Sequence, residues 1–145
     1  MTMTYNKKGD VIYLSLCKGE NIFDSIYKLI DKEQIVSGWI NGIGAIENIT
    51  IGAYDLNNRT YIKKDLDGVY ELTSLMGNIT LKDGSPFMHI HVSLSDHNCK
   101  ALGGHLFDAK ISIAGEFIIN TFSDHIKRTY NEQIGLHLMD FKNCE

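Results

Sequence analysis

The 145-residue sequence holds one proline, two arginines and no tract of like charge. Each scarcity excludes something. With Pro86 alone and no Pro/Ser-rich stretch, there is no internal linker to divide the chain. The basic pairs Lys7-Lys8, Lys63-Lys64 and Lys127-Arg128 are short and scattered, and the formal net charge is -4. A basic stripe of the kind that neutralises duplex phosphates is therefore missing. The pairs read as solvated surface. No apolar run approaches the roughly 20 residues that span a bilayer. The start, "MTMTYNKKGDVIYLSLC", turns polar too soon for a secretory leader. Cysteine is scarce too. Cys17, Cys99 and Cys144 are odd in number and lack framework spacing, which favours a reducing, cytosolic setting.

What remains is the composition of an ordinary globular domain, 43% hydrophobic and 22% charged. The length suits one domain, residues 1–145, with a single core. Ile12, Leu14 and Leu16 alternate with Val11, Tyr13, Ser15 and Cys17, which predicts a strand with one strongly apolar face. A helix follows, with Asn21 as N-cap and a stripe of Phe23, Ile26, Tyr27 and Ile30 at i, i+3, i+4, i+7. "VSGWINGIGAIENITIGAYDL" is β-branched and glycine-rich, so its glycines mark bulges or close backbone approach. Its "GIGAI" lacks the third glycine of a dinucleotide loop, since Glu47 stands there.

Asn57-Asn58, Asp67-Gly68 and Asp83-Gly84 each separate β-prone runs. Such pairs signal hairpins, which predicts an antiparallel meander with strands near 46–55, 59–65, 70–81 and 87–94. "GHLFDAKI" and "SIAGEFIINTF" read as two further strands. The tail from Ser123 reads as a short helix or loop, then a strand through Ile134, Leu136 and Leu138. A helix followed by strands predicts α+β, with helices on one side of a largely antiparallel sheet.

Four of the six histidines lie in "MHIHVSLSDHNCKALGGHL". On a strand, Met88, Ile90, Val92 and Leu94 share the core face. His89 and His91 then face the other way together, with Cβ atoms roughly 6–7 Å apart. Both imidazoles can reach one ion, or both can simply decorate a polar outer face. His105 is the best third ligand, because Gly103-Gly104 before it permits a turn or close approach as the next strand opens. His97 and Cys99 fall in the intervening loop and rank lower. Cys99 reads as a buried or half-buried thiol. Glu71 and Glu116, each set between apolar strand neighbours, are the candidate carboxylates for acid–base work. His125 and His137 read as surface or satisfied core residues.

The segments "GENIFDSI", "GWINGIGAIENITIGAYD", "YELTSLMGNITLKDGSPFMHIHVSLSD" and "LGGHLFDAKISIAGEFII" occur in an order that resembles the PPC (plants and prokaryotes conserved) domain family. Tyr70 to His105 carries the most specific part. The resemblance implies an α+β fold, a curved and mostly antiparallel sheet flanked by a few helices, in a homotrimer. It also implies a metal cluster, often zinc, which falls on His89, His91 and His105. The fold is similar to a domain of acetolactate decarboxylase, a three-histidine zinc enzyme. The family's common label is DNA-binding. In plant members that contact comes largely from a separate Arg-rich hook with a Gly-Arg-Pro core, and no such core occurs here. Three functions follow as expectations. One is a metal-binding protein, with zinc or another divalent transition metal, including a lyase- or decarboxylase-like enzyme on a small molecule as the fold similarity implies. Another is a DNA-binding or regulatory protein. The last is an oligomerisation module with a structural metal, in which Trp39, Tyr54 and Tyr61 serve either subunit packing or the core.

Overall fold

The structure is a computed structural model that describes residues 3–141. Cys144 lies outside those residues. The described chain runs β1 (Thr4–Lys8), β2 (Val11–Cys17), α1 (Ile22–Glu33), β3 (Ser37–Asp55), β4 (Thr60–Leu66), β5 (Tyr70–Lys82), β6 (Ser85–Ser95), β7 (Ala101–Phe122), β8 (Lys127–Asn131) and β9 (Leu136–Asp140). All strands join one sheet. The expected flanking helices reduce to one among the described residues. The sheet is mixed, because β8 pairs β5 in parallel while every other pairing is antiparallel.

Local chemistry explains the helix. Asn21 caps it, its side-chain oxygen accepting from the Asp24 backbone N–H at 3.1 Å. The buried stripe is Ile22, Ile26, Leu29 and Ile30, turned from the expected one. Tyr27 is exposed and Phe23 only packs against the core edge. Ile22, Ile26 and Leu29 are spaced i, i+4, i+7, a better match to one helix face. They share one core with Ile12, Leu14 and Leu16 from β2.

Turn chemistry was a good guide at one Asx-Gly pair and misleading at the other. Asp83 and Gly84 take φ of 51° and 79°, and Lys82 pairs Ser85 across them. That is the two-residue hairpin the pair predicts. Asp67-Gly68 instead links strands that do not pair. β4 lies on the distal half of β3, and β5 lies on its proximal half. The predicted meander is thus interrupted. β3 serves both neighbours because it is 19 residues long and bends at register breaks after Gly42 and Glu47.

The two strands expected at residues 104–122 are one, the 22-residue β7. In the tail, β8 stands where a helix or loop was expected from Ser123. β1 had no counterpart in the expected order.

Pairings β3–β5, β5–β6, β6–β7 and β7–β3 close a ring. Curvature follows from this closure. One row of paired residues on the outer face reads Tyr13, Ile118, Asn41, Met76, His91 and His105. It begins and ends beside the two ends of β7. The inner face supplies the core, including Met88, Ile90, Val92 and Leu94, all buried.

Candidate metal centre

The strand phase of β6 sets the site. With Ile90 and Val92 inward, His89 and His91 project outward side by side. β7 then brings His105 directly opposite His91. Two glycines permit the approach. A Cβ on Gly103 would lie 2.4 Å from the Val92 carbonyl oxygen, and one on Gly104 2.8 Å from that of Gly52. The pair provides clearance and not a turn. Both residues lie within β7, which begins at Ala101, so His105 does not open the strand.

One potential ligand nitrogen from each of His89, His91 and His105 lies within 4.8 Å of the others. The Nε2 atoms of His89 and His91 are 3.1 Å apart. Two ligands of one tetrahedral zinc would stand roughly 3.3 Å apart, given bonds of about 2.0–2.1 Å. His105 Nδ1 is buried and has no hydrogen-bond partner. A buried, unpaired ring nitrogen is costly unless something accepts it. Three imidazoles without a carboxylate suit a borderline ion such as zinc, and suit magnesium or calcium poorly. The donor set therefore fits the ion.

Aromatic rings wall the cluster. The ring centroids of Tyr61 and Phe107 lie 4.9 and 4.6 Å from that of His105, and Tyr54 packs on Tyr61. Burial pulls the His89 imidazole down to about 4, assisted by the charges of Arg128 and His91. Burial likewise brings His105 down to about 4, with His89, His91 and Lys63 adding to it. Both rings are neutral at pH 7 and ready to act as ligands. The sign for folding follows. The unfolded histidines bind protons near pH 6.5 and the folded ones only near 4. The unfolded state therefore gains protons first as pH falls. The metal-free protein is expected to lose stability progressively from about pH 6.5 to 4, and urea midpoints across that range check it. A His89→Asn/His105→Asn protein is expected to show a flatter profile.

Neither candidate carboxylate belongs to the cluster. Glu71 pairs with Ser95, four residues along β6 from His91, or roughly 13 Å by strand rise. Glu116 pairs with Ser15 and Ile43 and lines a groove elsewhere on the outer face. His97 and Cys99 are exposed in the β6–β7 loop, so the expected burial of the Cys99 thiol does not hold. The loop is held by Asp96, whose side chain accepts from the Asn98 and Lys100 backbone N–H groups, which leaves Cys99 turned out. His125 is exposed, and His137 is half-buried against Tyr130.

One residue was missed. Arg128, expected on the solvated surface, is half-buried and bonded to Asn78, the cross-strand neighbour of His89. Its side-chain partners Asn78 and Thr80 are about 50 positions away in sequence, so no local pattern announces them.

Fold and cluster together define a small β-rich domain with three histidines gathered on one sheet face. The Plants and Prokaryotes Conserved domain (PCC, also written PPC) matches residues 3–123, and the chain belongs to that family. It is similar to a solved candidate DNA-binding protein of Bacteroides thetaiotaomicron, with 31% identity over 99% of this chain and 100% of the other, at a TM-score of 0.94. A PPC protein of Pyrococcus horikoshii is 33% identical over 96% of this chain and 94% of its own, with a TM-score of 0.83. A metal-containing protein of Archaeoglobus fulgidus is 33% identical over 94% and 98%, also at 0.83. No curated protein matches the chain. No described helix is long and apolar enough to cross a membrane.

Proposed function

We propose that this protein is a metal-binding PPC protein in which His89, His91 and His105 hold zinc or another divalent transition metal. One observation carries the reading. Three imidazoles from two strands converge, and the buried Nδ1 of one lacks any protein partner. The metal-containing relative from Archaeoglobus supports it. Bound by three histidines, a zinc ion keeps an open position at which it polarises an oxygen ligand. A small molecule is the proposed occupant of that position. The protein itself contributes neutral rings, an aromatic wall and the nearby Arg128.

The working unit is proposed to be a homotrimer. Its supporting feature is the outer face beside the histidines, where Tyr13, Ile43 and Met76, the last paired with His91, are more than half exposed around one groove. An apolar patch of this kind suits subunit packing.

Metal content tests the central reading. Wild-type protein is expected to take up one zinc per chain, and a His89→Ala/His91→Ala variant essentially none. Equal uptake would show the cluster to be ordinary surface histidine.

A second reading, binding to DNA, is favoured by the description of the Bacteroides relative. Against it stands a net charge of -4. Affinity for a duplex oligonucleotide across a salt series decides, since phosphate contacts weaken steeply with salt. No binding at low salt removes this reading.

A further inference from the structure

Arg128 is a half-buried cation with no acidic partner among the described residues. Its Nε donates to Thr80 Oγ1 at 2.8 Å, its Nη2 to Asn78 Oδ1 at 2.8 Å and its Nη1 to the His137 carbonyl at 3.0 Å. The guanidinium lies over the Phe87 ring, 5.1 Å from its centroid. These bonds fix its place. Thr80 is paired with Phe87, and Asn78 with His89, so the planar group stands beside the histidine cluster. No carboxylate among the described residues pairs with it. Burial draws its pKa below the ordinary arginine value.

On the other side of the cluster, Lys63 sits over Phe107 at 4.1 Å, and Phe107 packs on His105. Among the described residues the site thus gathers two cations and three imidazoles and no negative group. A partly desolvated guanidinium lacking a counter-charge is costly to hold. Three of its five N–H groups are spent on the protein, and two remain.

We propose that the three-histidine centre takes a small carboxylate, with Arg128 holding the carboxyl group. This rests on the metal reading above. The two remaining donors can serve two oxygens of a carboxylate, as they could two of a phosphate, and the rings around the site favour the organic acid. Phe87, Tyr61 and Phe107 supply apolar surface for the rest of a small organic acid. Arg128 acts here as a binding residue, and no chemical step is assigned to it.

The test uses Co²⁺-loaded protein, whose visible absorption reports on its ligands, titrated with acetate and with lactate at fixed ionic strength. A saturable spectral change is expected with a carboxylate. An Arg128→Gln protein is expected to take up Co²⁺, because Arg128 offers no metal ligand. Its carboxylate affinity should fall by about tenfold or more, the loss that goes with a charged hydrogen bond. Arg128→Lys keeps the charge without the fork and should recover only part. An unchanged response in Arg128→Gln overturns the proposal. So does a Co²⁺-loaded wild type that answers to neither acid, or one that binds inorganic phosphate more tightly than both. Failure to take up Co²⁺ at all brings down the metal reading instead, and the proposal with it. Should the variants not fold, the wild type alone decides through phenylglyoxal labelling. Lactate should protect Arg128 and leave Arg59 reactive, and equal labelling of Arg128 with and without lactate refutes the idea.

Discussion

A His105→Leu protein is expected to be more stable than the wild type in the absence of metal, and to gain almost nothing when zinc is added. The imidazole of His105 sits between Tyr61 and Phe107 with its Nδ1 buried and unpaired. An unsatisfied buried polar atom costs about 1–3 kcal/mol. Leucine has a comparable volume and no polar atom, so the metal-free fold should recover much of that cost. The wild type behaves oppositely. Anything that binds only the folded state stabilises it, by about 4 kcal/mol at a thousandfold excess over Kd. Two remaining histidines make a poor zinc site, so the variant forfeits this gain. Thermal unfolding of both proteins, with EDTA and with zinc, reads both effects. A variant that is weaker without metal and still stabilised by zinc would mean that His105 is a packing residue.

Gly103→Ala should damage the fold and the site together. The added methyl would lie 2.4 Å from the Val92 carbonyl oxygen, which is backbone and cannot swing away. β7 must move off β6, and overpacking of this kind costs about 1–3 kcal/mol. His105 is two residues further along the displaced strand and faces His91. Groups that orient metal ligands typically change affinity by roughly 10–100-fold when disturbed, and a comparable loss of zinc affinity is expected here. Denaturant unfolding gives the first effect. Competition with a chromophoric chelator gives the second. Wild-type zinc affinity in a destabilised Gly103→Ala protein would show that the strand relaxes elsewhere.

Much of the site could be read from the chain because its determinants are local. Alternation along β6 separates Met88, Ile90, Val92 and Leu94 from His89 and His91, and a period of two needs no knowledge of the partner strand. Gly103-Gly104 likewise signals close approach wherever its neighbour comes from. The misses share another character. Asp67-Gly68 makes a turn, but whether a turn joins paired strands is decided by what lies beyond them. β7 was divided because Ile111 and Ser112 are both buried, which breaks the alternation. The cause is a register shift against β3, where the three residues from Gly44 to Ile46 face the five of β7 from Gly115 back to Ile111. A bulge looks like a strand end when only one strand is visible. Arg128 was unreadable for the most general reason, since its meaning comes from Asn78, Thr80 and His137.

The lysine pairs gain a use from the topology. Among the described residues β1 pairs only with β2, and β4 only with β3, so each leaves one edge open. Lys7 and Lys8 lie on β1, and Lys63 and Lys64 on β4. An open strand edge invites another chain to add a strand, and lysines there make the addition unfavourable. The ring of β3, β5, β6 and β7 hides further backbone within its own pairings. Copies of this protein are therefore discouraged from growing edge to edge into fibres, and the broad outer face is left as the surface on which they can meet.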